Sequence, residues 1–91
     1  MTLQQILDTH PWLADFECPN CPAVEQHKFE LAVAWFKTKP KIDNRCCYSH
    51  KYDAEVMFGQ SIGQRAFMAA AIATGVSIRF APTGTAFLAV V

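Results

Sequence analysis

Charge is scarce in this chain. Asp, Glu, Lys and Arg make up 18% of the residues, and eight basic side chains offset eight acidic ones to a formal charge of zero. A protein whose affinity comes mainly from neutralising phosphates along a duplex is strongly basic, so this balance argues against that class and leaves room only for a local basic patch. Glycine is scarce as well, with four residues in 91. None of them builds a phosphate-cradling loop, no stretch supplies an evident oxyanion hole, and a non-enzymatic protein is expected. Long apolar runs are missing. The stretch "RAFMAAAIATGV" is too short and alanine-rich to span a bilayer, and "MTLQQILDTH" has no basic region leading into an apolar one. The expectation is therefore a soluble cytoplasmic protein with neither signal peptide nor membrane contact. Linkers, internal repeats and low-complexity tracts are also lacking, which predicts a single domain over residues 1–91.

What the chain does have is apolar residues, at 52% of the total. That share excludes intrinsic disorder and leaves apolar surface over for a partner. It also has four cysteines, which in a reducing cytoplasm are thiols or metal ligands sooner than disulfides.

The pattern predicts an α+β fold of about four helices followed by a C-terminal β-hairpin. Thr2 and Gln5 form a capping box for a short helix over residues 3–9, stopped near Pro11, with Trp12, Leu13 and Phe16 following as core anchors. Pro22 suits a first helical position, and Val24, Phe29, Ala32, Val33 and Phe36 then recur at helical spacing as far as Lys37. "KTKPKIDNR" reads as an exposed basic loop. Ser49 caps a helix over 50–58 that ends at Gly59, and Ser61 with Gln64 opens a central, alanine-rich helix that stops at Gly75. In "VSIRFAPTGTAFLAVV" two β-prone segments flank a Pro-Thr-Gly turn. The second is almost uniformly apolar, so it is either covered on both faces or an open edge through which two copies pair as a homodimer.

Two site candidates follow from residue type and spacing. Cys18 and Cys21 can join Cys47 and His50, with Cys46 as a spare thiolate, in a C-x2-C-x25-C-x2-H set of four zinc ligands. The competing readings are ordinary thiols near helix starts, and a redox pair at Cys18 and Cys21, whose thiolate a helix N-terminus would favour. Lys37, Lys39, Lys41, Arg45 and Lys51 form the patch that would meet a macromolecule, against the plainer reading of a solvated lysine loop.

The segment "GQSIGQRAFMAAAIATGV" with the hairpin after it resembles a family of small proteins from bacteriophages and other mobile elements, whose pattern is G-x-Y-I-S-N-G-A-F-I-A-A-A-L-L-A-G. Gly59, Ile62, Ala66, Phe67, Ala69, Ala70, Ala71 and Gly75 match by position, as do Tyr48 and Glu55 upstream. Gly63 and Gln64 stand where the pattern has Ser-Asn, and Tyr52 stands where the family has a histidine. The resemblance covers residues 48–91 and implies a phage or prophage accessory protein with no specific chemistry. Together with the small size and surplus apolar surface, it leads to the expectation of an inhibitor that binds a host protein or ribonucleoprotein complex, such as a bacterial defence complex (anti-CRISPR-like). The alternative is a zinc-stabilised nucleic-acid-binding module of winged-helix type, in which Gln64 and Arg65 would face the bases.

Overall fold

The computed structural model describes residues 2–16, 22–38, 40–42 and 45–89. Its order is α1 (Leu3–Thr9), a 3₁₀ turn (Pro11–Phe16), α2 (Pro22–Lys37), α3 (Cys47–Phe58), α4 (Gln64–Ala73), β1 (Ser77–Phe80) and β2 (Ala86–Ala89). This is the α+β arrangement of four helices and a C-terminal antiparallel hairpin that the pattern predicts.

α1 begins as its sequence dictates. The Thr2 hydroxyl accepts from the Gln5 amide at 3.3 Å, and the Gln5 side chain accepts from the Thr2 amide at 2.8 Å. Two donors that the helix cannot satisfy are thereby satisfied locally. The Leu3 amide donates to Gln26 Oε1 at 3.2 Å, which ties this end to α2.

α4 is the centre of the molecule, and α2 packs on it most extensively. Ala66, Phe67, Met68, Ala69, Ala70 and Ala71 are all fully buried. Alanine at several consecutive positions lets backbones approach from every side, and helix propensity is kept because alanine loses no side-chain entropy. Phe67 meets Trp35 and Phe36 of α2 at ring-centre distances of 5.6 and 5.0 Å. Trp35 is a core residue that the helical spacing did not single out; Phe29, Ala32, Phe36 and Leu13 are buried as expected. The side chains of Phe16 and Val24 lie outside the described set.

Two helix starts differ from expectation. α3 begins at Cys47 with Cys46 as its cap, three residues before the start that Ser49 would set. Tertiary pairing explains it: Cys46 is in extended conformation and bridges to Phe87 of β2, so the chain turns into helix directly after that bridge. α4 is capped by Gly63, and the Ser61 hydroxyl is used instead on Glu55 at 3.4 Å. Gly59 does end α3 in the left-handed conformation, at φ 64°.

In the hairpin, Ser77 pairs with Ala89, Ile78 with Leu88, Arg79 with Phe87 and Phe80 with Ala86. Ala86 and Leu88 are buried against the helices. The bridge from Cys46 lies on the outer edge of β2, so that edge is paired at Phe87. No helix among the described residues is long and apolar enough to cross a membrane.

Candidate functional site

α3 carries apolar side chains on more than one side, and only one side is turned into the core. Cys47, His50, Lys51 and Ala54 are turned inward. Tyr48, Tyr52 and Val56 recur every four residues on the outside, and Met57 extends the same exposed arc. They are between 49% and 82% exposed, in a chain that had every apolar contact of the core to offer them.

The two tyrosines are held as a unit. Their rings meet edge to face at 4.8 Å, and the Tyr52 hydroxyl donates to that of Tyr48 at 3.0 Å. This bond to Tyr48 keeps the Tyr52 proton in place and raises its pKa. The Lys51 ammonium lies beneath both rings, 4.5 and 4.8 Å from their centres, and pairs with Glu55 at 3.1 Å. Glu55 also accepts the Ile62 amide at 2.6 Å, which anchors the cluster to the turn before α4. A cation held against two aromatic faces and an anchored carboxylate restrict the rotamers, so little side-chain entropy remains to be lost when a partner covers the rings. Arg45 and Asp53, paired at 2.8 Å and both half exposed, stand beside this face and leave it near neutral.

Of the expected patch, Lys37, Lys41 and Arg45 are exposed, and Arg45 is engaged with Asp53. Lys39 lies outside the described residues. Lys51 does not belong to the patch: at 6% exposure, under two tyrosines and paired with Glu55, it has no surface to offer a phosphate.

Of the expected zinc ligands, Cys18 and Cys21 lie outside the described residues. Cys47 and His50 are buried together on the first turn of α3, and Cys46 is partly exposed on its cap. Among the described residues no three His, Cys, Asp or Glu side chains gather in a metal-binding group. The adjacent thiols are chemically unlike. Burial, with the negative charge of Cys46 beside it, pushes Cys47 up to about 12, whereas a hydrogen bond from the Ser49 side chain lowers Cys46. Cys47 is thus a neutral filler of the core at neutral pH, and of the two thiols Cys46 is the readier to ionise.

The helix that a winged-helix protein would insert into a groove is α4, and here it is interior. Arg65, at its first turn, forms a two-pronged ion pair with the buried Glu25 of α2. That pairing locks α2 to α4 and turns the arginine away from any base edge.

The tyrosine face is the feature that sequence reasoning missed, although it left a signal. Cys47, Tyr48, Tyr52, Ala54, Val56, Met57 and Phe58 place apolar side chains right around a helix of 12 residues. A helix apolar all round is buried on every side, and one in so small a protein has to find part of that cover elsewhere. Comparison with protein-family models, curated proteins and solved structures returns no match.

Proposed function

We propose that this chain is a non-enzymatic binding protein whose contact surface is the outward face of α3, and that it acts by occupying and inhibiting a protein partner. The observation that carries the reading is the pre-ordered Tyr48–Tyr52 pair, continued by exposed Val56 and Met57. Tyrosine is among the residues that dominate binding energy at protein interfaces, because it covers a large area at low entropic cost and carries one polar tip. A near-neutral apolar strip rimmed by one ion pair fits a protein surface, and fits a polyanion poorly. The kinship with phage and mobile-element proteins suggested by the pattern of residues 48–91 would make the target a host protein or ribonucleoprotein complex, such as a bacterial defence complex.

Expression in bacteria with an active nucleic-acid-targeting defence should restore plating of a targeted phage. The Tyr48→Ser/Tyr52→Ser variant should lose that effect and its co-purification with the defence complex, while circular dichroism at 25 °C shows the helical fold retained. Restoration that survives the double substitution would remove α3 from the account; no restoration in any defence background would remove the inhibitor reading. Exposed Lys37 and Lys41 sustain the nucleic-acid alternative. One zinc per chain together with steeply salt-dependent retention on DNA or RNA would favour it.

A further inference from the structure

A second uncovered surface lies along α2. An open groove of about 840 Å³ runs beside Phe29, Val33 and Phe36, bordered by Thr2 before α1 and by Ala73 and Thr74 at the end of α4. Glu30, Ala34 and Lys37 also line it and are exposed. At 100° per residue, positions 30, 33, 34 and 37 fall on one face of the helix. Neither Glu30 nor Lys37 has an ion-pair partner among the described residues. The groove therefore presents an acid and a base about 10 Å apart along the axis, separated by a small apolar step.

Its occupant has to bring the same charges in reverse order across an equally small apolar step. The chain itself does so. Glu30 and Lys37 are symmetric about the gap between Val33 and Ala34. Two α2 helices laid antiparallel, with a two-fold axis through that gap, set Glu30 against the partner's Lys37 and Lys37 against the partner's Glu30. Val33 then meets the partner's Ala34, where the missing bulk lets the helices approach closely. We infer that this chain forms a two-fold symmetric homodimer through the α2 groove.

The geometry also bounds its strength. A helix of 16 residues is about 24 Å long, so α2 alone supplies only part of the roughly 800 Å² per partner that a standard interface buries. Thr2, Ala73 and Thr74 add to it, and an interface of this size makes a weak dimer. It is independent of the α3 face and leaves that face open to a different partner.

Sedimentation velocity from about 10 μM to about 1 mM, the range over which a weak association becomes populated, tests the inference directly. Wild type should shift from monomer to dimer across that range. Glu30→Lys and Lys37→Glu each place like charges in both symmetric contacts and should weaken association at least tenfold, on the order of 1.4 kcal/mol. Both residues are exposed, so the melts should move by only a few degrees, more for Lys37→Glu, which puts an anion at the C-terminus of α2. The two single variants, mixed in equal amounts, should associate although neither does alone, because each then meets its opposite. The Glu30→Lys/Lys37→Glu chain should again dimerise by itself. A wild type that stays monomeric at the top concentration overturns the inference, as does a dimer indifferent to charge reversal or singles that do not recover on mixing.

Discussion

At the scale of single residues, adjacent Cys46 and Cys47 behave as opposites because one is partly exposed on a helix cap and the other is in the core. A thiol held protonated by burial stabilises the fold below its unfolded pKa, and that stabilisation is lost as pH rises toward the folded one. For Cys47 the window runs from the ordinary 9.0 to about 12. The urea midpoint should therefore fall between pH 9 and 11, and it should fall less steeply in Cys47→Ala, which has no such proton to lose. Peptide mapping after brief alkylation of the native protein should find the label on Cys46, with Cys47 modified only on unfolding. A buried ion pair follows the same desolvation logic. Glu25 is 3% exposed, and its removal leaves the Arg65 guanidinium against α2 without its carboxylate. Glu25→Ala should cost about 3–5 kcal/mol in urea unfolding, and the double change Glu25→Leu/Arg65→Met should recover most of that loss.

At the scale of elements, α4 works because it is thin. Its alanines at 66, 69, 70 and 71 have no exposed surface, so each is in contact with another element and none has room to grow. Ala70→Leu should destabilise by about 1–3 kcal/mol through overpacking, read as a fall of roughly 5–20 °C in melting temperature. The start of α4 was legible only to within a few residues. Ser61 and Gln64 have the spacing of a capping box, yet Glu55 competes for the serine hydroxyl and also takes the Ile62 amide. The start of α3 was moved in the same way, by a bridge to a strand some forty residues further on. α1, by contrast, has the boundary its sequence predicts, since both halves of its capping box are closed within three residues.

At the scale of the whole molecule, two helix faces stand uncovered among the described residues, the outer side of α3 and the α2 groove. The outer α3 face is aromatic and nearly uncharged, which suits one dissimilar protein partner; the α2 groove is charged symmetrically, which suits a copy of itself. The basic loop that looked like the main contact surface is reduced by folding. Arg45 is committed to Asp53, Lys51 is beneath the tyrosines, and Lys37 is placed on the α2 groove. Placed so, Lys37 belongs to the surface proposed for the homodimer, and Glu30 is its counterpart.

Local signals along the chain suffice for the fold class, the α1 cap, the end of α3 at Gly59, the central helix and the hairpin. Those depend on local propensity, on glycine's access to positive φ, and on the spacing of apolar residues, all of which act over a few positions. Packing settled which side of α3 is buried, which of the described lysines stay on the surface, and where the outer edge of β2 is paired. The paired edge depends on Cys46 meeting Phe87, and the burial of α4 on Arg65 meeting Glu25, contacts between residues far apart in the chain. A helix with apolar residues right around it gives periodicity no preferred face, so the core alone selects which side is left for a partner.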